Sequence, residues 1–159
     1  MPVPSALESE RLSTNKKEKL SQEQISLLQG EGFYLLTYYD SEIGDMPTRV
    51  LTWAKAINEG EIRFFVDSRD RILRHLQFDQ NVTLTIFGLN TVTSLLCTAR
   101  SLDDNLDGSQ LALIRSKIYE VRASFASGES LITQPTIAYA PLEEQRRQQY
   151  EAMVLSREE

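Results

Sequence analysis

Cysteine, histidine and tryptophan each occur once in these 159 residues, and each scarcity excludes something. A lone Cys97 permits no intrachain disulfide, so the core must hold the fold, and a reducing cytoplasm is the expected compartment. Its apolar neighbours Leu95 and Leu96 mark a buried, inert thiol rather than a nucleophile. With His75 as the only imidazole, a histidine-built metal site is not expected. No apolar run approaches a membrane span, and no apolar leader core follows Met1. Positive charge is also short: 17 Lys and Arg against 23 Asp and Glu leave a net charge of −6. No global field would therefore draw nucleic acid or an anionic membrane, and any anion must be met by a local basic pocket. The chain has neither a P-loop nor a nucleophile elbow. Asp103, Asp104 and Asp107 lack the spacing of a calcium loop and read as a solvated turn.

What is present is an ordinary globular composition, 41% apolar and 25% charged, sized for one domain. Residues 1–20 are polar and expected to be a flexible arm, and residues 21–159 form the domain. Ser21 with Gln24 three residues on is a capping box, opening a helix that Gly30 or Gly32 would end. Six strands are predicted: Phe33 to Tyr39, Thr48 to Ile57, Glu61 to Asp67, Val82 to Phe87, Thr91 to Ser101 and Leu111 to Arg122. The last is ambiguous between helix and strand, and its β-formers Ile114, Ile118, Tyr119 and Val121 favour strand. Ser41 to Pro47 carries hairpin chemistry, and Pro141 opens a closing helix to Leu155. Six short antiparallel strands with one helix between them imply a small closed or partly closed barrel, mainly β with short flanking helices.

The most informative stretch runs from Glu61 to Gly88 as strand, turn, short helix and strand. The turn holds Asp67, Ser68, Arg69, Asp70 and Arg71. A serine and two arginines at a helix mouth suit a phosphate, because guanidinium donors add to free backbone N–H groups and the helix dipole. A solvated turn whose polar residues only cap the helix explains the same residues, and the segment alone does not choose between the two.

Pro47-Thr-Arg-Val-Leu on the second strand, Phe64-Phe-Val-Asp-Ser-Arg before the helix and Asn81-Val-Thr-Leu-Thr-Ile-Phe-Gly after it add more. In that order they resemble the pyridoxamine 5′-phosphate oxidase-like family of FMN-binding split β-barrels, over Gln24 to Arg122. The late segment from Ala112 to Arg122 resembles a small bacterial branch. The resemblance implies a homodimer with FMN sites at the subunit interface. It sets Arg49 on the FMN phosphate, and Val50, Leu51, Thr52 and Trp53 along the isoalloxazine ring. Val66, Ser68 and Arg69 fall at the end of the third strand and the turn after it. The departure comes next, where Asp70 and Ile72 stand in place of the family's serine and lysine. Asp70 puts a negative charge beside the expected phosphate, and Arg71 is the adjacent cation able to replace the lysine.

Two readings follow. One is an FMN-dependent oxidoreductase of unknown small-molecule substrate, in which the flavin carries the hydride chemistry. The other is a non-catalytic dimeric binding protein of the same fold, carrying flavin, F420 or haem, or serving a stress or regulatory role. The C-terminal arginine-and-histidine segment of true pyridoxamine oxidases has no counterpart, since the tail offers Arg146 and Arg147 without histidine. No residue qualifies as a general acid or base. Lys117, Glu120 and Arg122 read as an exposed ion-pair ladder.

Overall fold

The structure, a computed structural model, describes residues 17–88, 90–123 and 143–156. In chain order its elements are α1 (Gln22–Ser26), β1 (Gln29–Thr37), β2 (Thr48–Asn58), β3 (Glu61–Asp67), α2 (Ile72–His75), β4 (Asn81–Gly88), β5 (Thr91–Asp103), a 3₁₀ turn (Leu106–Gly108), β6 (Leu111–Ala123) and α3 (Glu143–Ser156). The six strands close into an antiparallel barrel in the order β1-β2-β3-β6-β5-β4. The predicted mainly β fold and its six strands therefore stand. Expectations for residues 1–16, Pro141 and Leu142 lie outside the described residues.

Alternation drives closure. Along β4, Val82, Leu84 and Ile86 are buried between half-exposed threonines and Phe87. Along β6, Ala112, Ile114, Ser116 and Ile118 turn inward, which resolves the ambiguous period of that segment in favour of strand. Phe64, Ile62, Leu95 and Leu36 complete a contiguous interior core. Burying one Leu, Ile or Phe side chain is worth about 1.5–3 kcal/mol, so these layers dominate the fold's stability.

The capping box at Ser21 is formed, with Gln24 N–H donating to Ser21 Oγ at 3.1 Å and Ser21 N–H to Gln24 Oε1 at 3.0 Å. α1 ends earlier than predicted, at Leu27, and both glycines lie inside β1. Gly30 takes φ +115°, and a Cβ there would sit 3.1 Å from Trp53 Nε1. Glycine thus serves strand-to-strand approach here, not helix termination. At the other edge of the arm, Leu20 is buried and Lys17 O accepts from Val121 N–H at 2.7 Å.

A second, smaller apolar cluster lies outside the barrel wall. Trp53, Leu113 and Val154 of α3 are its buried members, with Ile57, Phe65 and Leu102 against them. The Trp53 and Phe65 rings are 5.1 Å apart. Lys55 pairs with Glu151 at 3.1 Å, and Arg63 Nη1 donates to Val154 O at 3.1 Å, so charge and apolar contact together dock α3.

Candidate functional site

β2 and β3 part company halfway along. Their ladder runs Asn58↔Glu61, Ala56↔Ile62, Lys55↔Arg63 and Ala54↔Phe64, and stops. Beyond it, β2 residues from Thr48 to Trp53 pair with β1 alone, and β3 residues from Phe65 to Asp67 pair with β6 alone. Beyond Ala54 the β2–β3 ladder is not continued, and the two strands diverge. Strand edges left this way expose directed N–H and C=O groups that a planar heterocycle or another chain can use.

Charged side chains gather at the mouth of this split. Arg49 Nε donates to Asp70 Oδ2 at 2.7 Å, bridging the start of β2 to the turn after β3. The other Asp70 oxygen accepts from Ile72 N–H at 3.0 Å. Asp70 is thus not the N-cap of α2, a place Arg71 takes; it stands one residue earlier, accepts the Ile72 N–H in a local turn and pairs with Arg49 at the same time. Arg71 reaches Asp40 at 3.3 Å and Glu42 at 3.7 Å, and Arg74 holds Glu42 at 2.9 Å. Arg69 grips Asp67 through Nε and Nη2, both at 3.0 Å.

The β1–β2 hairpin is built to present Asp40. Gly44 at φ +65° lets its N–H reach Asp40 O at 2.9 Å, and Asp40 Oδ1 accepts from Glu42 N–H at 3.0 Å. Burial alone would raise the Asp40 carboxyl, but the Glu42 amide and Arg71 outweigh it and hold it below its ordinary value. Asp67 is lowered to about 2, chiefly by the hydrogen bond from the Arg69 side chain.

Arg49 and Asp70 meet at the split, whereas Arg69 is turned to Asp67, Arg71 to Asp40 and Glu42, and Ser68 N–H to Gln110 O. Val50 is 54% exposed beside Arg49, and Thr52 is exposed on the same strand. Leu51 and Val66 belong to the barrel interior. Trp53 lies apart, beneath α3. One physical premise fails. The turn's N–H groups are already engaged: Ser68 by Gln110 O, Arg69 by Asp67 Oδ1, Asp70 by Asp67 O and Ile72 by Asp70 Oδ1. α2 is a single turn of four residues, too short for a helix-terminal anion site. Side chains alone would have to hold an anion here.

Two residues not predicted for the site border it. Tyr38, 2% exposed, packs its ring 4.6 Å from His75, 6% exposed. Neither Tyr38 Oη nor His75 Nε2 has a hydrogen-bond partner among the described residues. Burial, then the Asp70 carboxylate, raise the Tyr38 phenol above its ordinary value. Their isolation in sequence, 37 positions apart on strand end and helix, gave no local signal. Among the described residues no cluster of His, Cys, Asp and Glu could hold a metal ion, and no helix is long and apolar enough to cross a membrane.

These features define a class: a six-stranded split β-barrel with an opened strand edge. No family profile and no curated protein matches the chain. Solved structures do. A candidate pyridoxamine 5′-phosphate oxidase from Lactobacillus delbrueckii is 18% identical, with 68% of this chain and 98% of that one aligned at TM-score 0.55. An F420 reductase is 9% identical over 65% of this chain and 98% of that one, at TM-score 0.54. A general stress FMN/FAD-binding protein from Xanthomonas citri is 17% identical over 75% and 97%, at TM-score 0.51. The chain thus has the fold shared by pyridoxamine 5′-phosphate oxidase-like and flavin-binding split barrels. At these identities the likeness is one of fold.

Proposed function

We propose that this chain is an FMN-binding protein of oxidoreductase type, acting in the cytoplasm as a homodimer with its cofactor sites between subunits. One observation supports the reading: the ladder between β2 and β3 ends at Ala54–Phe64, so that β2 from Arg49 onward diverges from β3 and opens a cleft between the two strands. Extended backbone of this kind supplies directed amide groups to a ring, and exposed Val50 adds an apolar wall.

The donor set fits a phosphate through side chains. Arg49 uses Nε on Asp70, while Ser68 and Arg71 belong to the turn that carries Asp70, with Arg71 held by Asp40. Asp70 acts as the resident counter-ion that a phosphate must displace or face. Two like charges about 4 Å apart at an effective dielectric of about 20 repel by about 4 kcal/mol. FMN is therefore held reversibly, less tightly than by a site without the aspartate. When bound, the flavin supplies hydride or electron transfer. Arg49 and Arg71 fix its charged end, and the β2 edge orients its ring.

The dimer reading draws support from the exposed apolar side chains Tyr39, Ile43, Met46 and Val50 around the hairpin and the start of β2. Reconstitution tests both parts. Chain stripped of ligand and mixed with FMN should take up one flavin per chain and elute at twice 18.1 kDa. A monomer that leaves FMN free in solution refutes the proposal. A second reading, a non-catalytic carrier of the same fold, is favoured by the carboxylate already held by each candidate arginine. A flavin that binds but is not reduced by nicotinamide donors would select it.

A further inference from the structure

We propose that the chain carries a second anion site, remote from the β2–β3 split, on the outer wall of β5 and β6, for a small molecule bearing a phosphate dianion or a diphosphate. The proposal is independent of the flavin reading. A concavity of ≈ 290 Å³ lies there, lined by Gln80, Thr98, Ala99, Arg100, Arg115 and Lys117.

Strand register concentrates the charge. Arg63 faces Arg115 across β3 and β6, and Arg115 faces Arg100 across β6 and β5, so three arginines stand in one row over three strands. In the next row of the same face, Glu61 faces Lys117 and Lys117 faces Thr98. Like charges directly opposite one another destabilise a sheet pair unless a counter-charge joins them. The buried carboxylate in these rows, Glu61, is shared by Arg63 at 2.8 Å and Arg115 at 3.0 Å. Arg100 and Lys117 are exposed and have no ion-pair partner among the described residues. Arg63 and Arg115 share Glu61 and Lys55 at the end of the row pairs with Glu151, so Arg100 and Lys117 are the cations of these rows that make a local positive field on a chain of net charge −6.

The lining suits a phosphate. Arg100 offers a planar fork and Lys117 a point charge from the opposite strand, while Thr98 and Gln80 supply neutral hydrogen-bonding groups at the rim. The volume is enough for a small phosphorylated molecule.

Pyrophosphate is the probe, at constant ionic strength, followed by two-dimensional amide NMR of the full chain so that the responding residues are identified. The expected result is saturable shifts at Thr98, Arg100 and Lys117, with affinity falling at least tenfold in Arg100→Gln and in Lys117→Gln. Because Arg100 faces a like charge, Arg100→Gln should melt no lower than the parent without ligand. Shifts that are absent, that do not saturate, or that persist unchanged in both variants overturn the proposal. Shifts confined to residues 49 and 68–71 also overturn it, since they would assign the anion to the split.

Discussion

Tyr38 lies with its ring 4.6 Å from His75, and its buried hydroxyl is without a hydrogen-bond partner among the described residues. Leaving a buried hydroxyl unsatisfied costs about 1–3 kcal/mol. Tyr38→Phe keeps the ring contact and removes the orphan oxygen, so it should unfold at the same or higher temperature than the parent. A melting temperature lowered by several degrees would mean that the hydroxyl has a partner worth keeping.

Glu61 is the hinge of a buried charge cluster, accepting from Arg63 at 2.8 Å and Arg115 at 3.0 Å. Removing the shared carboxylate takes the counter-charge from both guanidinium groups in a poorly solvating wall, typically at about 3–5 kcal/mol. Glu61→Ala should therefore lower denaturant stability by about that amount. A loss under about 1 kcal/mol would show that the two guanidinium groups do not depend on this carboxylate.

Acid should weaken the fold through the hairpin and the turn. Asp40 and Asp67 both titrate below their ordinary value of 3.8 in the folded chain, Asp67 at about 2. Their folded-state values are depressed, so their contributions are present above the unfolded value and vanish as pH falls through the folded one. Stability should decline between about pH 4 and pH 2, and Asp40→Asn should flatten part of that decline. An unchanged slope in Asp40→Asn would contradict the role given to the Arg71 pair.

Cys97 is fully buried, and burial pushes its thiol up to about 12. The neutral thiol is a poor nucleophile, so the native chain should resist thiol-specific disulfide reagents at pH 8 and react promptly once denatured. Rapid labelling of native protein would place this side chain at the surface.

Much of the barrel was legible because periodicity and turn chemistry act locally. Glu61–Asp67 appears as predicted, bounded by Asn58-Glu59-Gly60 on one side and the polar turn on the other. The capping box at Ser21 is equally local. The start of β1 was not legible: Gly30 and Gly32 look like helix punctuation, and only the tertiary approach of Trp53 explains Gly30. The site was legible in part. Arginines could be assigned to one region, but their partners are set by closure of the barrel. Arg49 meets Asp70 21 positions away, and Arg71 meets Asp40 31 positions away. The place of Trp53 beneath α3 depends on a contact with Val154 that no local pattern announces.

The central claim is that Arg49 and Asp70 compete over a phosphate at the β2–β3 split, and flavin affinity reads this most directly. FMN titrated into the parent, Asp70→Asn and Arg49→Gln chains, followed by flavin fluorescence, should rank Asp70→Asn tightest by about tenfold or more and Arg49→Gln weakest by a similar factor. Equal affinities in all three chains, or weaker binding in Asp70→Asn than in the parent, would contradict the account.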